Sequence, residues 1–404
     1  MDNSISLTKV IHPIMLKKCV VLLGMMAAVG LRPVRAQNDV VLSLAAGRED
    51  AEKLMGAYLG PFGQAFSLGL AQNWNQTAKP LKLLRFNVQA GLSLVAIPGD
   101  NQYFYPENLG LNNLRPIDAR ATTLAGPSNV NTAYLVQVSD PLNPGNTLVL
   151  DTLSGLTPGL GLGHVPAPFV QLNVGLPKGT EISLRLLPRS SLDGLAGDIS
   201  ALPGQLRENG NLTFWGVGVK HSLSQYLPRL LKVVPIDLSA YVNHCVIEYR
   251  QVVRIAGPTP ADYPRGINGV ITGYRYVGGQ SPADITTQEL VLGSNASSAG
   301  IILSKKIALF TPYVRAGLMR SSFSVAADGQ YDVPTALVIN SQSSGTLIQE
   351  YSNLNKPVEI KTRVDNLTHY GVGLRVKILV LMAYAEMVQM GHWTTYNAGL
   401  SVGF

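Results

Sequence analysis

The tightest constraint on this chain is its final run of residues. Phe404, Val402, Leu400, Ala398 and Tyr396 are apolar, while Gly403, Ser401, Gly399 and Asn397 between them are small or polar. Side chains of a strand point alternately to opposite faces, so this is one strand with an apolar side and a wet side. The same period recurs upstream. Phe86, Val88, Ala90, Leu92 and Leu94 alternate with Asn87, Gln89, Gly91 and Ser93. Val170, Leu172, Val174 and Leu176 do so with Gln171, Asn173 and Gly175. Further copies run through 181–186, 236–243, 313–318 and 372–377.

The start of the chain carries an export pattern. Lys17 and Lys18 precede an apolar stretch from Cys19 to Leu31, and Val34-Arg35-Ala36 is a small-x-small cleavage site. Residues 1–36 therefore read as a signal peptide, with the mature chain starting at Gln37. The apolar stretch is short for the roughly 20 residues that a spanning helix needs. Downstream the longest apolar run, Ile378 to Ala385, stops at Glu386. In hydrocarbon only helices and closed barrels satisfy every backbone polar group. An exported chain with alternating strands and no spanning helix is thus expected to be an all-β, antiparallel transmembrane barrel. The competing fold, a soluble β-sandwich, also alternates. Export and the length of the segments, near the 9 to 11 residues of a tilted membrane strand, favour the barrel.

Composition agrees. Charged residues are 14% against 46% hydrophobic, and there are 40 glycines. The net charge of +7 is concentrated at the start, where Lys9, Lys17, Lys18, Arg32 and Arg35 face one acid, Asp2. The remaining small excess of bases gives no ground for a nucleic-acid partner. Only Cys245 follows the cleavage point, so no internal disulfide is expected.

Additional strands are expected around 132–138, 146–153, 211–222, 246–255, 269–277, 286–309 and 379–390, with rim loops at 97–131, 139–146, 256–268 and 325–343. At about 25 residues per strand and connection, the count is 12 to 16 with 14 as the central value. No linker or repeat interrupts the pattern. The expected division is a signal peptide at 1–36, a helical plug segment at 37–82 and the barrel at 83–404.

The plug segment is the one break in the strand period. Leu54, Met55, Tyr58 and Leu59 share a side at helical spacing, and Gly60-Pro61 is expected to break or restart the helix. Phe62, Phe66 and Leu70 recur at four-residue spacing, and Trp74 follows. Such a segment either fills the barrel or caps it from below. Its apolar stripe needs cover, which a polar lumen supplies poorly. Leu54, Tyr58, Phe62, Phe66 and Trp74 are the candidate lining for a hydrophobic small molecule, with a purely structural plug as the alternative.

Three blocks carry a family resemblance. They are Ala51 to Phe66 followed by Asn73-Trp74-Asn75 and Thr77-Ala78-Lys79-Pro80; Trp215 to His221, continuing to Leu227-Pro228 and Pro235 to Ser239; and Gly399 to Phe404. They resemble an uncharacterised family of outer-membrane barrels from Bacteroidota. The resemblance implies the fold and the outer membrane but no activity. In such barrels the terminal strand, here Tyr396, Leu400, Val402 and Phe404, is read by the barrel-assembly machinery. A wider likeness is to outer-membrane long-chain fatty-acid transporters, which are also plugged by a small helical segment; none of their ligand residues maps onto this chain.

Little in the sequence points to chemistry. The histidines His164, His221, His244, His369 and His392 are scattered and read as interface or loop residues. There is no HxH, HExxH or CxxC, so no metal or cofactor is expected. Glu181, Arg185, Asp237, Arg315, Arg375 and Lys377 fall on polar faces and are expected to pair across the interior. The expected function is passive transport of small, hydrophobic molecules, with a non-transporting structural or accessory role as the alternative and enzymatic activity not expected. The expected surroundings are outer-membrane lipid.

Overall fold

The computed structural model describes residues 47–130, 132–153, 158–191, 210–227, 236–259, 271–343 and 345–403. The expected signal peptide, residues 37–46 and Phe404 lie outside the described residues.

Numbered in chain order, ten of the described strands close into a barrel. They are β1 (Phe86–Ala96), β7 (His164–Leu176), β8 (Thr180–Ser191), β9 (Gly210–Ser222), β10 (Asp237–Val252), β12 (Glu289–Ser304), β13 (Phe310–Asp328), β16 (Val358–Ile378), β17 (Leu381–Met390) and β18 (Trp393–Gly403). Every neighbouring pair is antiparallel, and β1 closes the wall between β18 and β7. The other strands form small sheets outside the wall: β2 (Tyr103–Phe104) with β4 (Ala121–Thr122), β3 (Leu114–Pro116) with β5 (Tyr134–Ser139) and β6 (Thr147–Leu153), and β11 (Ile271–Tyr276) with β14 (Gln330–Ile339) and β15 (Leu347–Asn355).

The barrel has ten strands, not fourteen. The segments expected at 132–138, 146–153 and 269–277 are strands, but they belong to loop sheets. The stretch 325–343, expected as a loop, holds the end of β13 and all of β14. Two wall strands are also long, with 19 residues in β13 and 21 in β16. Period-two alternation marks any half-buried strand and does not say which sheet it joins.

The two ends of the barrel differ. At one end β16 and β17 join through Leu379 and Val380, and β7 and β8 through residues 177–179. At the other lie the long excursions between Ala96 and His164, Val252 and Glu289, and Asp328 and Val358, which carry the small sheets. We refer to these as the turn end and the loop end.

The outer wall is apolar in a band. On β13 the outward series is Phe310, Val314, Ala316 and Leu318; on β16 it is Tyr370, Val372, Leu374 and Ile378. Val372 is 61% exposed and Leu400 67%. From Ile378 to Tyr370 the band runs about 26 Å along the strand. Toward the loop end it gives way to exposed Asp365, Arg363 and Lys361. A continuous apolar belt around a closed barrel is a wall solvated by hydrocarbon. No helix among the described residues is long and apolar enough to cross a membrane.

One helix, α1 (Arg48–Leu70), lies inside this wall, among β1, β7, β12, β13 and β16. It starts at the loop end, where the Asp50 carboxylate accepts backbone N–H bonds from Asn112, Asn113 and Leu114 at 2.7–2.8 Å. After Leu70 the chain continues toward the turn end and enters β1. The plug is therefore in the lumen and not a cap below it. The helix runs through Pro61 without the expected break. An internal proline removes one backbone bond, and here the wall grips the helix closely. A Cβ on Gly60 would stand 3.3 Å from Thr362 Cγ2, and one on Gly63 would overlap the Phe323 ring at 2.0 Å.

The apolar stripe finds its cover in two places. Near the loop end Leu54 packs with Leu114, Tyr134, Val136 and Leu153, and Met55 and Tyr58 with Leu124, Val253, Tyr331 and Ile360. Deeper in, Leu68, Leu70 and Trp74 meet Val95, Val165, Phe214, Met319 and Trp393. The folded loops supply half of the environment that a polar lumen alone would deny.

Leu374 lies midway along the belt, so Leu374→Arg should cost about 2–4 kcal/mol in a bilayer, read as a lower urea midpoint of unfolding in lipid vesicles. Gly63→Val should cost about 1–3 kcal/mol by the same measurement, because the added carbons collide with the Phe323 ring.

Candidate functional site: the occupied lumen

The helix ends in the middle of the barrel, and that end needs a partner. The last four carbonyls of a helix have no intrahelical donor and carry partial negative charge. Arg185 on β8 supplies it. Its guanidinium donates from Nη1 to the Leu70 carbonyl at 3.1 Å, and from Nη2 to the Gln72 and Asn73 carbonyls at 3.0 and 2.9 Å. Its Nε donates to Gln171 Oε1 at 2.9 Å. The rings of Trp74 and Phe169 face it at 3.8 and 3.7 Å from their centroids. Arg185 is fully buried and has no carboxylate partner among the described residues. Peptide dipoles and two π faces take the place of a counter-ion, which suits a delocalised, weakly hydrated cation.

Trp74 reaches Arg185 because the wall is hollowed there. A Cβ on Gly216 or Gly218 of β9 would stand 2.9 or 3.0 Å from the indole. The backbone around it is held from other strands. Gln171 Nε2 donates to the Trp74 carbonyl at 3.0 Å, and Gln89 Nε2 to the Asn73 carbonyl at 3.3 Å.

Two buried ion pairs flank this centre. Arg315 on β13 donates from Nη2 to Glu386 Oε2 on β17 at 3.0 Å, with both side chains sealed from solvent. The same nitrogen bonds the Gln72 side chain of the plug, and Asn397 Nδ2 donates to Glu386 at 2.9 Å. Nearer the turn end Lys220 on β9 pairs with Glu181 on β8 at 2.9 Å. Lys220 also donates to the Thr77 carbonyl at 3.2 Å, and Glu181 accepts from the Leu81 N–H at 2.7 Å. Ser304 Oγ accepts from the Ala78 N–H at 2.9 Å, and Ser239 donates to the Ala78 carbonyl. The lumen wall is thus a binding site for a peptide, and its ligand is residues 70–81 of the same chain.

The five expected lining residues lie on this plug. Leu54, Tyr58 and Trp74 are buried, and Phe62 and Phe66 pack half-buried against the inner clusters. Of the expected lumen charges, Glu181, Arg185 and Arg315 join the clamp. Arg375 contacts Met382 Sδ at 2.7 Å, Lys377 is exposed at the turn end, and Asp237 stands half-buried at the start of β10. Tyr396, Leu400 and Val402 point outward into the apolar belt.

Lys220, Glu386, Gln72, Gln171 and the glycine pair were not singled out by sequence. Face parity places Glu386 with Met382 and Tyr384, but only the register across strands sets it opposite Arg315. His369 is not at an interface or in a loop: it is buried in the lumen, with Nε2 2.7 Å from the Tyr241 hydroxyl. On the outside of the wall His244 Nδ1 lies 2.8 Å from Ser297 Oγ, with the Trp215 ring against the imidazole and no acidic partner among the described residues. Among the described residues no three His, Cys, Asp or Glu converge as a metal site.

A family model described as "Family of unknown function (DUF6588)" matches residues 15–404. Comparison with curated proteins gave no match. Among solved structures, the outer membrane protease OmpT from Escherichia coli aligns at 10% identity over 81% of this chain and 100% of its own, with a TM-score of 0.26. The translocator domain of the autotransporter NalP from Neisseria meningitidis aligns at 10% identity over 85% and 94%, with 0.27. The attachment invasion locus protein Ail of Yersinia pestis aligns at 6% identity over 79% and 95%, with 0.22. Scores this low carry no argument about activity.

Arg185→Met should leave the Gln72 carbonyl without a donor among the described residues, at about 1–3 kcal/mol, while Leu70 and Asn73 keep Trp74 and Gln89 as donors. The check is hydrogen exchange, where amides of residues 70–78 should lose protection while those of β16 keep it. Glu386→Gln should strand the Arg315 charge and cost about 3–5 kcal/mol of stability, seen as a lower melting temperature in detergent.

Proposed function

This chain belongs to the DUF6588 family, whose function is unknown, and we propose from its geometry that it is a closed, non-conducting outer-membrane barrel. In this reading it is a structural or accessory component without catalytic chemistry. It carries its own plug and presents its folded loops to the outside. One observation carries the proposal: residues 50–78 occupy the lumen, and side chains from β1, β7, β8, β9, β10, β12 and β13 bind them. The outer membrane is proposed from the apolar belt, the closed wall and the export pattern at the start of the chain, with the loop end facing out. The partners in this reading are lipid and the assembly machinery that reads the last strand.

A second reading keeps passive passage of small hydrophobic molecules, as the resemblance to fatty-acid transporters of the outer membrane implies. What favours it is imperfect satisfaction along the plug. Asn73 Oδ1, both amide atoms of Asn75 and Gln89 Oε1 are buried without a hydrogen-bond partner among the described residues. A seam of this kind is where a plug would part from its wall.

Purified protein in planar bilayers separates the two. The closed reading expects no steady conductance and no uptake of an apolar dye into vesicles. Steady flux through the wild type would sink it. If flux occurs, a disulfide from Ser67→Cys with Ser294→Cys, whose hydroxyls now lie 2.7 Å apart, should abolish it by tying plug to wall.

A further inference from the structure

The outer wall carries a feature that the plug does not explain. A groove of about 440 Å³ opens on the lipid-facing side of β12, β13, β16 and β17. Ile301, Val314, Val372 and Met387 line it, all exposed to the surroundings of the barrel. It exists because Ala316 is small: its register partners on either side are Ile301 and Tyr370. The groove lies within the apolar belt, so its occupant must itself be hydrocarbon.

The same strands end in polar chemistry toward the loop end. Ser297 lies four residues beyond Ile301 on β12, and Arg320 four beyond Ala316 on β13, each about 13 Å along the strand. Ser297 and Arg320 are register partners, as are His244 and Ser297. His244 is hydrogen-bonded to Ser297, and Trp215 packs on His244 at 5.5 Å between centroids. Arg320 is exposed and has no ion pair among the described residues; across from it at the β13–β16 bulge stand Asp365 and Asn366, and Asp365 is paired with Arg363. From Trp215 to Arg320 is three strand spacings across and two residues along, about 16 Å. That is the breadth of a sugar pair rather than of one phosphodiester headgroup.

We propose that this face binds one phosphorylated glycolipid of the outer leaflet. An acyl chain fills the groove over Ala316, a phosphate sits on Arg320 beside Ser297, and a sugar packs on Trp215. Arginine is the side chain best shaped for a phosphate, and it binds most strongly where hydrocarbon borders the site. The assignment rests on the outer-membrane reading, with the loop end outward.

The test uses full-length protein, purified in mild detergent, stripped of lipid and titrated with lipopolysaccharide under native mass spectrometry. One tightly held equivalent is expected. Arg320→Glu should weaken it by about tenfold or more, and Arg320→Lys should keep most of it. Ala316→Trp should lower it by filling the groove. Both positions face outward, and an unchanged heat-dependent gel shift certifies the fold. Dephosphorylated lipopolysaccharide should bind as poorly as Arg320→Glu. Equal binding by wild type, Arg320→Glu and Ala316→Trp would overturn the proposal. So would equally tight binding of phosphatidylglycerol, or a co-purifying protein that shields this face. Membrane fractionation is scored separately: recovery in the inner membrane would refute the location while the titration still reports on the groove.

Discussion

The interior of this protein is organised by one requirement, that of ending a helix away from bulk water. A helix that stops in mid-lumen exposes carbonyls that must be met by donors. Arg185 meets the last helical carbonyl, Leu70, together with those of Gln72 and Asn73 just beyond it, and is itself held by Gln171, Trp74 and Phe169. A carboxylate beside it would neutralise the charge but compete with the helix end for the same donors. The absence of such a partner is what commits Arg185 to the plug. Lys220 and Arg315 are built differently, each shared between a carboxylate and the plug segment.

The rest of the lumen follows from how little room ten strands enclose. A helix and its following chain fill that space only if the wall is thin where they touch it. Glycine makes it thin. Gly216 and Gly218 receive Trp74, Gly373 receives the Tyr313 ring, and Gly91 and Gly399 receive Tyr384. The rings then serve as spacers between wall and plug. Polar groups in this packing are a liability, because a buried group without a partner costs free energy. Several along the Asn73–Asn75 stretch are in that position, which marks the tight bend after α1 as the least settled part of the interior.

Much of the wall was legible because its chemistry is local. Alternation at Val314, Ala316 and Leu318 against Tyr313, Arg315 and Gly317 states which side faces lipid, and the wall keeps that division. The helix was legible from the spacing of Leu54, Tyr58, Phe62 and Phe66, although its continuity through Pro61 was not. Continuity depends on Thr362 and Phe323, which lie some 300 and 260 residues away in the chain. The strand count was misread for a related reason. Tyr134–Ser139 and Thr147–Leu153 alternate as wall strands do, but they pair with each other, and the first of them with Leu114–Pro116, over the mouth instead.

The sequence by itself determined the class of the fold, the two faces of each wall strand and the presence of a helical segment before the first of them. These follow from side-chain period and from the rule that hydrocarbon admits only closed backbone pairing. Tertiary structure alone decided the number of strands in the wall, the position of the plug and the identity of its clamp. Each of those is a matter of register between distant strands. Glu386 is only a polar interruption in an apolar run until β17 lies beside β16 and β13, and then it is the counter-ion of Arg315.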